Sequence, residues 1–73
     1  MKEIVLRDSV AVLTPRQVDV LRCAADGLCV RGTAARLGIG AETVKTHRSA
    51  VIRNLEAPTI TAACIAAMRA GVI

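Results

Sequence analysis

Not one phenylalanine, tyrosine or tryptophan occurs in the 73 residues of this chain. That absence removes recognition by aromatic stacking, as on sheet platforms for single-stranded RNA. It also disfavours a β-sandwich or barrel, because strands favour the aromatic residues missing here. Alanine is abundant, which points to helices packed at close distance. A hydrophobic content of 53% and a mean hydropathy of +0.50 are too apolar for a disordered tail. The length fits one small domain. A domain this short buries only about 60% of its unfolded surface, so its stability is modest or assisted by a partner.

The formal net charge is +4. From Arg31 to Arg53 five basic residues (Arg31, Arg36, Lys45, Arg48 and Arg53) stand against one acid, Glu42. Outside that window, five basic residues balance five acids. The whole excess therefore sits in the middle third. A basic patch on a neutral body suggests an anionic polymer as partner; a plain solvated helix face usually mixes both signs. Cys23, Cys29 and Cys64 are odd in number and match no structural zinc spacing, alone or with His47. They read as small hydrophobes in a reducing cytoplasm. Lys2, Glu3, Arg7 and Asp8 interrupt the first residues, so no secretory signal is expected. No uncharged apolar run reaches the length of about 18 residues that suggests a transmembrane helix.

Met1 to Leu13 reads as an irregular or weakly extended arm, with Val10 to Leu13 able to lean on the core. Helix-start grammar follows: Thr14 caps, Pro15 suits the first position, and Gln17 completes a T-x-x-Q capping box. Leu13 can staple onto Val18. The first helix is expected over about 15–26, with Val18, Leu21, Ala25 and Leu28 as its buried stripe and Gly27 as its stop. The second, about 31–37, starts poorly, since Cys29 and Val30 are weak caps, and ends at Gly38. The third, about 41–55, buries Val44, Val51, Ile52 and Leu55, and Pro58 closes it. The fourth, about 60–70, is capped by Thr59 and stopped by Gly71. The fold class is therefore all-α: an N-terminal arm over 1–13 and a four-helix domain over 14–73.

Thr33 to Leu55 has the layout of a helix-turn-helix. Two helices crossing steeply need a small residue where their backbones meet, which Ala34 supplies. They need a sharp reversal, which Gly38 supplies, and an apolar anchor early in the second helix, which Val44 supplies. An ordinary helical hairpin would use similar spacing. The coincidence with the basic window favours DNA.

Three stretches carry a specific resemblance: LTPRQVDVLRCAADGL, then AARLGIGAETVKTHRSAVIRNL, then an alanine-rich helix ending AGVI. Together they resemble the LuxR/GerE-type DNA-binding domain over about Leu13 to Ile73. The resemblance implies a four-helix domain with the third helix in the major groove and the fourth pairing two copies. Most such domains are attached to a receiver or ligand-binding domain; the length here resembles stand-alone members. The chain departs from the family at several positions. The family usually has Glu at Gln17 and Gly32, Ile at Thr33, Ser-Pro at Gly40 and Ala41, and Lys or Arg at Asn54. Losing two carboxylates leaves nearby cations freer for phosphate and less firmly positioned. Gly32 costs roughly 1 kcal/mol relative to Ala inside a helix.

In the family, the positions matching Lys45, Thr46 and Ser49 face base edges. Lys45 can donate to guanine O6 or N7, or to phosphate alone. Thr46 can meet a thymine methyl or hydrogen-bond, and Ser49 is short enough to need a water. Arg48 is assigned with them, reaching either base or phosphate. Thr43 and the first amides of the third helix suit a phosphate oxygen. Arg31, Arg36 and Arg53 are further phosphate candidates. His47 reads as structural, in preference to a catalytic or metal role.

The last helix is apolar nearly all round, broken only by Thr61 and Arg69. It carries more apolar surface than 73 residues can bury, unless the N-terminal arm covers it. Ile60, Cys64, Ile65, Ala67 and Met68 are the expected dimer contacts. The function these features imply is a stand-alone, dimeric, sequence-specific DNA-binding regulator of transcription, cytoplasmic, of bacterial or phage origin. It is expected to need no cofactor, metal, small molecule or membrane. The alternative is a protein-interaction module that contacts RNA polymerase or forms mixed dimers with larger LuxR-type regulators. An enzyme is poorly supported, since no catalytic constellation, phosphate loop or metal spacing occurs.

Overall fold

The computed structural model describes residues 4–5 and 12–73. Helices α1 (Pro15–Ala25), α2 (Val30–Leu37), α3 (Ala41–Asn54) and α4 (Ile60–Arg69) make an all-α domain. Ahead of them, β1 (Ile4–Val5) pairs antiparallel with β2 (Val12–Leu13), Ile4 opposite Leu13 and Val5 opposite Val12. This short ladder stands where an irregular or weakly extended arm is expected. The rest of that arm, including Val10 and Ala11, lies outside the described residues.

The capping box forms as written in the sequence. Thr14 Oγ1 accepts from the Gln17 amide at 3.2 Å, and Gln17 Oε1 accepts from the Thr14 amide at 3.0 Å. Leu13 and Val18 lie in one buried cluster, as a staple requires. Thr59 caps α4 by accepting from the Ala62 amide at 3.1 Å.

The start of α2 differs from expectation. Cys29, read as a weak cap, is the N-cap, and its Sγ accepts from the Gly32 amide at 3.4 Å. That contact, with help from neighbouring backbone N–H groups and the Arg31 charge, lowers the pKa of the thiol. A thiolate accepts where a neutral thiol is poor, so the cap strengthens with ionisation. Cys29 is exposed, unlike Cys23 and Cys64, so only two of the three thiols are core residues.

Each helix closes on a left-handed residue. For α1, α2 and α4 this residue is Gly27, Gly38 and Gly71. For α3 it is Glu56, at φ 51°. Its amide reaches the Arg53 carbonyl at 3.2 Å, and the Ala57 amide reaches the Ile52 carbonyl at 3.0 Å, completing a Schellman closure. A side chain at that φ strains the backbone by about 1–2 kcal/mol.

α1 occupies the centre, packed against both α3 and α4, while α2 rests on α3. Val18 and Leu21 join Leu13, Val51, Ala63, Cys64 and Ala67 in the main cluster. Val20 and Cys23 are buried as well, outside that cluster. The expected single stripe is therefore corrected: Ala25 is exposed and Leu28 half-buried. One stripe suits a helix with one neighbour, and α1 has neighbours on two sides. Ile52 and Leu55 are half-buried, leaving Val44 and Val51 as the fully buried residues of α3. Thr33 is also buried, and no buried side-chain N or O atom among the described residues lacks a hydrogen-bond partner.

The face of α4 is corrected too. Ile60, Ala63, Cys64 and Ala67 share one side at helical spacing. Ala63, Cys64 and Ala67 are buried, and Ile60 is packed against the core. Cys64 Sγ donates to the Leu21 carbonyl at 3.7 Å, and burial pushes its thiol pKa up. Cys64 and Ala67, expected as dimer contacts, therefore belong to the chain's own core. Ile65 and Met68 lie on the flank beside it, 45% and 51% exposed.

Two stability predictions follow from these ends. A Cβ at Gly32 would meet Leu28 Cδ2 at 3.4 Å, an ordinary contact. Gly32→Ala and Glu56→Gly should each raise stability by roughly 0.5–1 kcal/mol, about 2–8 °C in Tm. Thermal unfolding by circular dichroism measures this, and a fall in Tm for either variant would refute its explanation. The Cys29 cap gives a pH signature. Its pKa is lower folded than unfolded, so its stabilisation is complete above the unfolded thiol value of about 8.5 and fades as pH falls through the folded value. Stability should rise with pH toward that value in the native protein, and this rise should vanish in Cys29→Ser. Equal pH slopes for the two proteins would dismiss an ionised cap.

Candidate nucleic-acid interface

The reversal between α2 and α3 is set by Gly38, at φ 68° and ψ 35°. The Ile39 amide closes onto the Ala34 carbonyl at 3.1 Å. Val44 and Val51, both fully buried, then fix the roll of α3 about its axis. Residues at i, i+3, i+4, i+7 and i+11 share a helix face. Counting from residue 42, that face carries Glu42, Lys45, Thr46, Ser49 and Arg53, and all five are exposed. The structure brings Lys45, Thr46 and Ser49 together on the outward side of α3, with Arg53 extending the row.

Arg48 departs from this set. It follows Val44 by four residues and precedes Val51 by three, on the flank nearest the core, and it is half-buried. Only its guanidinium can extend past that flank. His47 is half-buried on the other flank.

The polar contacts assign further roles. Thr46 Oγ1 donates to the Glu42 carbonyl at 3.0 Å, so its hydroxyl is occupied within the helix. Lys45 Nζ donates to Glu42 Oε1 at 3.3 Å. Arg36 Nη1 donates to Asp26 Oδ2 at 2.8 Å, tying the last turn of α2 to the end of α1. That bond raises the already high pKa of Arg36. Arg36 is thus engaged by an acid of its own chain, while Arg31 and Arg53 are exposed. Both ion pairs lie at the surface, where such contacts are weak and exchange readily for a better anion.

The N-terminus of α3 has Gly40 as its N-cap, with no side-chain hydrogen bond. Thr14, Cys29 and Thr59 each supply one to the other helices. Ala41, Glu42 and Thr43, the first turn of α3, are exposed. Amides in such a turn carry a partial positive charge suited to an anion. The sequence reading counted Glu42 only as one acid among bases. Its spacing of three from Lys45 was the available signal that the two side chains meet. The Arg36–Asp26 contact spans ten residues and two helices, and no local pattern announces it. No helix among the described residues is long and apolar enough to cross a membrane.

Comparison with known proteins places the chain in a family. Residues 11–67 match the family model described as bacterial regulatory proteins, luxR family. The HTH-type transcriptional activator RamA of Corynebacterium glutamicum is 44% identical over 61 residues. The aligned stretch covers 84% of this chain and 22% of RamA, so the chain spans about a fifth of that relative's length.

Proposed function

The chain belongs to the luxR family of bacterial regulatory proteins, and on that footing we propose that residues 14–73 form a sequence-specific DNA-binding domain of a transcriptional regulator that works as a homodimer. The observation that carries this reading is the outward row on α3, turned away from Val44 and Val51. At about 1.5 Å per residue, the 14 residues of α3 extend about 21 Å. A helix of this kind fits the major groove, about 12 Å wide. Lys45 donates to guanine O6 or N7. Thr46, its hydroxyl held by Glu42, offers its methyl to thymine. Ser49 reaches an edge directly or through water.

Phosphate contacts position the domain and supply most of its affinity. Arg31, Thr43, Arg53 and the first-turn amides of α3 make them. Arg36 joins by exchanging Asp26 for a phosphate, and Arg48 serves the backbone at the groove's edge. Ile65 and Met68, large apolar side chains left outside the core, pair with a second copy, and Ile60 borders that contact. Two recognition helices related by a two-fold axis read half-sites about 34 Å apart, one DNA turn. A chromosomal target implies a cytoplasmic location.

Selection of bound fragments from a random duplex pool at near-physiological salt, with fluorescence anisotropy on the winners, tests the reading. Lys45→Ala should weaken the selected site by roughly 5- to 150-fold, the equivalent of about 1–3 kcal/mol. Arg53→Ala should weaken all sequences alike and flatten the salt dependence by about one unit of slope. Unchanged binding in both variants would remove the DNA reading. For the dimer, Ile65→Glu with Met68→Glu should leave the helical spectrum intact and convert the native particle to monomers. The double variant should also lose at least about tenfold in affinity for two-half-site DNA. Identical solution masses before and after the substitutions would sink this interface.

A further inference from the structure

Glu42 is the one acid among the five basic residues between Arg31 and Arg53. It lies on the outward row of α3, 89% exposed, with its carboxylate 3.3 Å from Lys45 Nζ. Its backbone carbonyl holds the Thr46 hydroxyl at 3.0 Å. Glu42 therefore touches both neighbours on the proposed reading face, Lys45 through its carboxylate and Thr46 through its backbone carbonyl. Resting on the DNA reading above, we propose that Glu42 is a specificity-determining residue that selects cytosine in the major groove beside the base read by Lys45.

The argument is one of chemical exclusion. An ionised carboxylate accepts hydrogen bonds and donates none. Phosphate repels it, so among the groups a duplex offers a helix in its groove, only base-edge donors attract it. Residues at the start of a recognition helix are the ones that contact those edges. Guanine presents two acceptors there, thymine an acceptor and a methyl, adenine an acceptor beside its amine. Cytosine presents its N4 amine, a donor without a competing acceptor. The carboxylate is matched by cytosine and opposed by guanine and thymine. Lys45, freed from Glu42 by the same event, donates to a guanine. Both members of the surface pair exchange each other for a base partner.

This role differs from that of an acid at a helix N-terminus, which Glu42 also is. A dipole partner affects helix stability and total charge; it does not choose a base. Glutamine separates the two roles. Its amide carries a donor and an acceptor, the pattern complementary to adenine N6 and N7.

The test is fragment selection with the whole chain in four forms: native, Glu42→Ala, Glu42→Gln and Lys45→Ala. The native protein should enrich cytosine at one position in each half-site. Glu42→Ala should lose that enrichment at that position alone and bind unrelated duplex several-fold more tightly, because one repelling charge is gone. Glu42→Gln should change the preference there from cytosine to adenine. Lys45→Ala should lose a neighbouring guanine and keep the cytosine. If Glu42→Ala retains the native preference at every position and only gains affinity uniformly, Glu42 tunes charge and this proposal is overturned while the DNA reading survives. A native protein that retains no duplex at all overturns the DNA reading, and this proposal with it.

Discussion

The burial of α1 on two sides is the constraint on which the rest depends. No aromatic ring is available to fill a gap between distant helices. The central helix must instead be approached closely from both flanks by small and aliphatic side chains. Val18 and Leu21 meet the Val51 and α4 side, while Val20 and Cys23 are buried outside that cluster. Ala63, Cys64 and Ala67 give α4 a thin face, which lets its backbone come near. Because cores pack at crystal-like density, an arrangement of this kind has little freedom to slide. The roll of α3 is set by the same packing. With Val44 and Val51 fully buried, the side chains halfway round the helix are turned out. The reading face is in this sense a by-product of core packing.

Legibility in the sequence tracked the range of the interaction. The capping box, Thr59 cap and glycine stops are decided within four or five residues, and the chain states them openly. The outward face of α3 was also legible, because charged and apolar residues alternate there at helical spacing. α4 was not, for the opposite reason. When almost every residue is apolar, periodicity cannot say which side is buried, and Cys64 and Ala67 read as dimer contacts for want of contrast. In α1 the template of one stripe per helix failed because a central helix has two. Cys29 reads as a weak cap because a thiol is ranked a poor acceptor, yet its sulfur takes the Gly32 amide. The Asp26–Arg36 contact needed the tertiary structure.

Two departures from the family pattern now have distinct consequences. At Gln17 the amide oxygen keeps the cap, so the lost carboxylate changes charge and leaves the local hydrogen bonds in place. At Gly32 the helix lacks a side chain where there is room for one, and its amide is held by the Cys29 sulfur instead. The first substitution leaves the start of α1 intact. The second leaves α2 with the Cys29 sulfur as its one side-chain cap contact. α2, with one side-chain cap contact, is thus less firmly begun than α1, which has the reciprocal pair of a capping box.

The helix proposed to meet DNA has the weakest local support at both ends. It starts at Gly40 without a side-chain cap and finishes on Glu56 in a left-handed conformation that costs a non-glycine residue energy. Neither end would sustain an isolated helix of this length, which is marginal in water even with good caps. α3 persists because Val44 and Val51 are locked against neighbours. That division of labour has a functional logic. A side-chain cap would occupy one of the first-turn amides, as Thr14, Cys29 and Thr59 do, and without one every amide of that turn stays open to the proposed phosphate contact. The local cost at the ends is met by packing in the middle, and the open end remains available to a ligand.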